Sequence, residues 1–185
     1  AHAGRSPGEV MLLGASKQTD AAACRQAIAA GIDALGENRV QEMLEKQRQG
    51  AYQGAPVHFI GHLQRNKVRQ VVGQAALIHS VDSLPLLQAI EHEAQRQETV
   101  QDILLEVNIG GEASKGGFAP QALPEAARNA LDLPHIRVRG LMTIPPAGCA
   151  RKINIRYFQE MQALYIDMRE KMFHNSFVYL SMGMS

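Results

Sequence analysis

Short apolar runs alternate along the chain with longer segments that are apolar on one side only. The runs predict strands at residues 10–16, 34–35, 57–61, 77–81, 103–109, 138–143 and 177–181. The segments between them predict helices. Asp20 can cap the first helix, Gly31 can end it, and Asn38 can open the second. This alternation predicts a parallel sheet, either doubly wound or closed as a (β/α)8 barrel.

Polar residues follow most of the predicted strands, and their placement favours the barrel. They are Lys17, Glu37, Asn38, His62, Gln64, Asp82, Asn108, Thr143 and the segment 181–185. In a barrel the carboxyl ends of all strands form the rim of the active site. A doubly wound sheet would gather its ligand groups at one switch point, and no Gly-x-Gly-x-x-Gly fingerprint follows the first run. We therefore expect a single α/β domain over residues 1–185, a (β/α)8 TIM barrel.

The sequence stops at Ser185, directly after the last predicted strand. A complete barrel needs a further helix, an eighth strand and the helix after it. An open edge strand would expose unpaired backbone. We therefore expect the barrel to lack its last strand and helices in this chain, as a fragment would.

The charge balance favours a small ligand over a polymer or a membrane. Net charge is +1, from 19 basic and 18 acidic side chains, so no overall field attracts nucleic acid or anionic lipid. Arg65, Lys67 and Arg69 form a short basic patch without interleaved aromatic residues, which we interpret as a solvated helix face.

No apolar run approaches the roughly 18 residues of a membrane span. The two cysteines lack metal-ligand or redox spacing. We expect a cytoplasmic protein.

Lys17 is the first candidate for chemistry, because it closes the apolar run at residues 10–16. A lysine at the end of a buried strand is partly desolvated, which favours the free amine and its attack on an aldehyde. The alternative is a lysine that only reaches into water.

The tail at residues 181–185 is the second candidate. Ser181 and Ser185 flank Gly183, so hydroxyl and amide donors can approach a phosphate closely. Barrel enzymes often hold phosphate in the loops after strands seven and eight. A lysine on strand one together with such a phosphate cup indicates a pyridoxal phosphate (PLP) site. The alternative for the tail is a turn of small residues.

Seven motifs occur in an order that resembles a known family. They are Ala15-Ser16-Lys17, Gly36-Glu37-Asn38-x-Val40-Gln41-Glu42, His58-Phe59-Ile60-Gly61-His62-Leu63-Gln64-x-Asn66-Lys67, Asn108-Ile109, Ser114-Lys115-x-Gly117, Arg139-Gly140-Leu141-Met142-x-Ile144-Pro145 and Ser181-Met182-Gly183-Met184-Ser185. Together they are similar to the pyridoxal phosphate homeostasis protein family of the YggS/PROSC type. The similarity spans nearly the whole chain.

The resemblance implies the barrel of the alanine racemase N-terminal domain, with pyridoxal 5′-phosphate as cofactor. It implies a role in vitamin B6 and amino-acid homeostasis without an established turnover reaction. Lys17 matches the lysine that forms the internal aldimine. The remaining matches to the cofactor's surround are Asn38, Met142, Ser181, Gly183, Met184 and Ser185. Lys115 matches a lysine in a loop at the barrel mouth, where it either exchanges cofactor or is an ordinary exposed lysine.

Two enzyme hypotheses stay open beside a PLP carrier that supplies PLP-dependent apoenzymes. A PLP-dependent amino-acid racemase or decarboxylase would use the same lysine, and a racemase needs a second acid/base group, for which Tyr179 is the candidate. A Schiff-base aldolase would also need a lysine and a phosphate cup, although its lysine usually lies on a later strand. We expect the carrier, acting as a monomer.

Overall fold

The structure, a computed structural model, describes residues 4–182, which form two compact units, residues 4–61 and 62–182. Strands and helices alternate through this range, as predicted. The strands are β1 (Leu13–Ala15), β2 (Ala34–Glu37), β3 (Val57–Phe59), β4 (Leu77–Val81), β5 (Gln101–Glu106), β6 (Ile136–Thr143) and β7 (Tyr179–Met182). The α-helices are α1 (Ala21–Ala29), α2 (Val40–Arg48), α3 (Leu84–Arg96), α4 (Leu123–Leu131) and α5 (Arg151–Met168).

The first unit is built on parallel strands. β1 pairs with β2 and β2 pairs with β3, so that Ala15, Gly36 and His58 lie side by side in one row. Every residue of β2 is buried, including Glu37 at its carboxyl end. Asp20 caps α1 as predicted, because its Oδ1 accepts the Ala23 amide at 2.7 Å.

The second unit is a parallel sheet of four successive strands, with β4 next to β5, β5 next to β6 and β6 next to β7. Leu77, Leu104 and Met142, from three of these strands, form a buried cluster, and Tyr179 of β7 packs against it. Side chains from strands at opposite edges of the unit therefore meet on one face. A sheet that brings its edges together in this way is curved, as a barrel wall must be.

The first strand is shorter than predicted. Val10, Met11 and Leu12 are 56%, 41% and 63% exposed, and β1 begins only at Leu13. The Leu12 amide donates to the Asp33 side chain at 2.6 Å, and the pairing of β1 with β2 begins at Leu13. The prediction of a buried strand from residue 10 was therefore wrong.

Two predicted helix features also differ in the structure. Asn38 does not cap α2, whose N-cap position is held by Arg39 without a side-chain hydrogen bond. The segment after β3 forms a 3-10 helix, Arg65–Gln70, in place of an α-helix. Among residues 4–182, no helix has the length and apolar character that crossing a membrane would require.

Candidate functional site

Lys17 lies in the turn that follows β1. Its side chain is exposed, so the predicted partial desolvation was wrong; the strand ends at Ala15, before it can bury the lysine. Within residues 4–182 the Lys17 amine forms no hydrogen bond or ion pair. The next residue, Gln18, has a left-handed backbone with φ of +61°, a conformation that costs about 1 kcal/mol or more for a residue other than glycine. Other contacts must therefore stabilise the turn in this conformation.

A buried ion cluster lies beneath the turn. The Lys46 ammonium on α2 donates to Glu37 Oε1 and to Glu42 Oε1, at 2.7 Å each, and to the Ser16 carbonyl oxygen at 2.5 Å. Lys46 is 4% exposed and Glu37 is fully buried. Burial lowers the pKa of Lys46, but the hydrogen bonds and charges of Glu37 and Glu42 outweigh burial and raise it. Lys46 is therefore a charged, fully engaged amine.

The cluster forms hydrogen bonds to the residues on both sides of Lys17. On one side Ser16 Oγ donates to Glu37 Oε1 at 2.7 Å. On the other side the Gln18 amide donates to Glu42 Oε1 at 2.6 Å. Burial raises the pKa of Glu42, while its hydrogen bonds to Lys46 and Gln18 lower it more. The backbone that carries Lys17 is thus held by charge-assisted hydrogen bonds.

Asn38, at the end of β2, has an unused acceptor. Its Oδ1 is buried and has no hydrogen-bond partner within residues 4–182. Gly61 lies so close that a Cβ on it would overlap the main chain of Asn38. Because most buried acceptors in folded proteins are paired, this oxygen is a candidate to receive a ligand's hydrogen bond.

Met142 and Ser181 lie side by side in the second unit, because β6 and β7 pair in that register. Met142 is 3% exposed and belongs to the Leu77–Leu104 cluster. Ser181 Oγ lies 3.1 Å from His79 Nδ1. An apolar thioether beside an anchored hydroxyl suits a ligand with an aromatic ring and a polar group.

Sequence reasoning missed Glu106, which stands in register with Met142 on the neighbouring strand β5. Burial, reinforced by the Asp82 carboxylate, raises its pKa to about 7, against smaller opposite effects of His62 and Lys115. Asp82 Oδ2 in turn lies 3.2 Å from His62 Nδ1. The available signal was a carboxylate near the end of the otherwise apolar run Ile103-Leu104-Leu105-Glu106-Val107.

Lys115 is held rather than freely exposed. Its ammonium lies 2.6 Å from Glu112 Oε2 and donates to the Pro145 carbonyl oxygen at 3.1 Å. Asn108 Nδ2 donates to the Glu112 carbonyl oxygen at 2.9 Å. The loop that carries Lys115 is therefore tied to the end of β5 and to the segment after β6.

Nearly the whole chain is similar to a known protein family. The family model of the alanine racemase N-terminal domain matches residues 10–185. A pyridoxal phosphate homeostasis protein of Aquifex aeolicus is 41% identical over 184 residues, which cover 99% of this chain and 80% of the relative. The chain belongs to the pyridoxal phosphate homeostasis protein family. The family member from Pseudomonas aeruginosa is 40% identical, over 99% of this chain and 77% of its own length.

A solved structure of the same fold contains the cofactor. PipY of Synechococcus elongatus with PLP bound is 30% identical and aligns over 100% of this chain and 85% of its own, with a TM-score of 0.83. The predicted homeostasis family and the barrel of the alanine racemase N-terminal domain are both confirmed.

The predicted site residues fall into both units of this family member. Lys17 and Asn38 lie at the carboxyl ends of β1 and β2 in the first unit, and Met142 and Ser181 are adjacent in the second. Gly183, Met184 and Ser185 lie outside the described residues. Their assignment to the cofactor's surround stays a prediction.

Proposed function

We propose that this chain binds pyridoxal 5′-phosphate through a Schiff base on Lys17 and serves vitamin B6 and amino-acid homeostasis. The observation that carries the proposal is the Lys17 amine, exposed and unpaired within the described range, on a turn that Ser16 and Gln18 fasten to buried charges. The PLP-bound PipY structure, which aligns over the whole chain, supports the same cofactor.

The side chains present fit the chemical groups of PLP. The cofactor supplies an aldehyde, which condenses with a primary amine with loss of water. Lys17 offers that amine. The Ser181 hydroxyl suits a phosphate oxygen, Asn38 Oδ1 offers a free acceptor, and Met142 offers an apolar surface to a ring. We propose Gly183, Met184 and Ser185 as further phosphate and ring contacts.

A titration with PLP tests the covalent part of the proposal. A new visible band should grow with added PLP and saturate, because conjugation of an imine with the PLP ring moves the cofactor's absorption to longer wavelength. Lys17→Arg keeps the positive charge but cannot form the imine, so this band should be absent. Lys152→Arg, at an exposed lysine of α5, is the matched control and should behave as the unmodified chain. A band that survives in Lys17→Arg would reject Lys17.

We further propose that the bound cofactor is released to PLP-dependent apoenzymes in the cytoplasm. The loaded chain would be mixed with an apo-aminotransferase while a phosphatase destroys free PLP. Aminotransferase activity should recover faster than with an equal amount of free PLP, because cofactor held in the protein is shielded until it is handed over. Recovery no faster than with free PLP would contradict delivery.

We also propose that residues 1–185 form one PLP-binding domain and that the protein is a monomer. Sedimentation equilibrium should give the mass of a single chain, and unfolding in urea should follow one cooperative transition at both far-ultraviolet and near-ultraviolet wavelengths. Two separated transitions, or a concentration-dependent mass, would contradict these expectations.

A further inference from the structure

The ion cluster of Lys46, Glu37 and Glu42 has more contacts to the Lys17 turn than packing of α2 requires. Glu37 Oε1 alone receives hydrogen bonds from Lys46 at 2.7 Å, Ser16 at 2.7 Å and Tyr52 at 3.3 Å. A helix can pack on a strand through apolar side chains, and buried ion pairs seldom stabilise more than apolar residues of the same volume. The cluster therefore needs another explanation than stability.

The contacts converge on the residues that flank Lys17. Lys46 binds the Ser16 carbonyl oxygen, and Glu37 binds the Ser16 hydroxyl. Glu42 binds the Gln18 amide and so fixes the residue whose backbone is left-handed. Lys17 itself takes no part. The cluster thus fixes the main chain on both sides of the lysine and leaves its amine untouched.

Lys46 links the two carboxylates of the cluster through ion pairs. It bridges Glu37 at the end of β2 and Glu42 on the first turns of α2. Without this ammonium, two carboxylates in a largely buried place would repel each other, and the Ser16 carbonyl oxygen would keep only its hydrogen bonds from the Thr19 amide and hydroxyl. Glu42, whose side chain is 21% exposed, would then turn toward solvent and release Gln18.

We infer that Lys46, Glu37 and Glu42 are positioning residues for Lys17, which hold its backbone so that the amine meets the PLP aldehyde in a reactive geometry. The inference rests on the proposed function of Lys17. Lys46 is not a second nucleophile, because its ammonium is buried and engaged by three acceptors. A shift of about 1 Å in a reacting group can lower a rate about a hundredfold, so loosening the turn should slow capture.

The test compares two glutamates of the same helix. Glu42→Ala removes the acceptor of the Gln18 amide, whereas Glu42→Gln keeps an oxygen there. Glu45→Ala is the matched control, because the exposed Glu45 side chain bonds Arg48 at 2.6 Å and Gln49 at 2.9 Å, both at the carboxyl end of α2. Stopped-flow absorbance would give the rate constant for PLP capture. We expect a decrease of about tenfold or more in Glu42→Ala, recovery of most of the rate in Glu42→Gln, and no change in Glu45→Ala.

A second pair of variants addresses the bridging ammonium. Lys46→Met should slow capture as Glu42→Ala does, and Lys46→Arg should restore part of the rate because a guanidinium can still donate to both carboxylates. If Lys46→Met fails to fold, the Glu42 series decides, since Glu42 is partly exposed and its loss leaves the rest of the cluster in place.

A readout without cofactor separates this inference from the proposed function. Hydrogen exchange of the Gln18 amide should be faster in Glu42→Ala than in the unmodified chain, and unchanged in Glu45→Ala. Unchanged exchange and unchanged capture in Glu42→Ala would overturn the positioning role while the Schiff base on Lys17 stands. Faster exchange in a chain that forms no adduct on Lys17 would instead overturn the proposed function, and with it the purpose inferred for the cluster.

Discussion

His79 of β4 and Ser181 of β7 form a side-chain hydrogen bond, with 3.1 Å between Nδ1 and Oγ. Two strands, β5 and β6, lie between them in the pairing order of the second unit. In a flat sheet strands three places apart would be separated by roughly 14 Å. The hydrogen bond is therefore made on the concave side of a curved sheet, and it holds the hydroxyl that we assign to the phosphate of PLP.

Removing that hydroxyl should weaken PLP binding. In Ser181→Ala the dissociation constant for PLP should rise about tenfold to a hundredfold, because a hydrogen bond to a charged group contributes about 1.5–3 kcal/mol. Equilibrium titration by visible absorbance measures it. Ser114→Ala, at an exposed serine of the second unit, serves as control. Equal affinity in the Ser181 and Ser114 variants would remove Ser181 from the site.

The ionisation of Glu106 should lower the free energy of unfolding as pH rises from about 4 to about 7. Its folded pKa is about 7, raised mainly by burial and then by Asp82, whereas the unfolded value is about 4.3. Between these values the folded state keeps a proton that the unfolded state releases, so ionisation opposes folding. The penalty is absent near pH 4 and reaches about 3 kcal/mol above pH 7, because each tenfold change in proton affinity corresponds to about 1.4 kcal/mol.

Glu106→Gln removes this penalty. The free energy of unfolding in urea should match that of the unmodified chain near pH 4 and exceed it by up to about 3 kcal/mol near pH 8. Two pH profiles that run parallel across this range would show that Glu106 does not titrate there.

His58 should give the opposite pH dependence. It is 4% exposed in β3, and burial lowers its pKa to about 4, against about 6.5 in the unfolded chain. The folded state therefore disfavours the proton that the unfolded state accepts. This contribution is complete above pH 6.5 and is lost as pH falls toward 4, by up to about 3 kcal/mol. His58→Gln should lose less stability between about pH 7 and pH 4 than the unmodified chain; an equal loss in both proteins would assign the acid sensitivity to other groups.

Position 61 should require a glycine, because this residue lies against the main chain of Asn38. Gly61→Ala places a methyl group against the Asn38 main chain, and such overpacking costs about 1–3 kcal/mol. PLP affinity should fall as well, because Asn38 Oδ1 would move. Gly8→Ala, where no atom lies within 4 Å of the new methyl group, should change neither quantity. Full stability and affinity in Gly61→Ala would place Asn38 outside the site.

Local signals in the sequence were enough to predict the order of elements and the position of Lys17 after the first strand. A run of apolar residues by itself predicts a buried strand, and the Asp20 side chain caps α1 through an amide only three positions away. The same local signals gave wrong predictions where the structure involves contacts between residues far apart in the sequence. Just before β1, the Leu12 amide bonds the side chain of Asp33, which is 21 positions away along the chain.

The ion cluster could not be predicted for the same reason. Glu37 and Lys46 are nine positions apart, on a strand and on a helix, and only the packing of α2 against β2 joins them. Glu42 and Lys46 have the i,i+4 spacing of an ordinary surface pair. Nothing in that spacing indicates that Lys46 is buried or that Glu42 holds the Gln18 amide.

The most direct measurement is to reduce the PLP complex with borohydride and to map the modified residue by tryptic digestion and mass spectrometry. Trypsin does not cleave after a lysine that carries a reduced PLP group. An adduct on Lys17 should therefore appear as one peptide of residues 6–25, between the cleavage sites at Arg5 and Arg25. We predict this peptide as the main product. A main adduct on any other lysine, with normal cleavage after Lys17, would contradict the account.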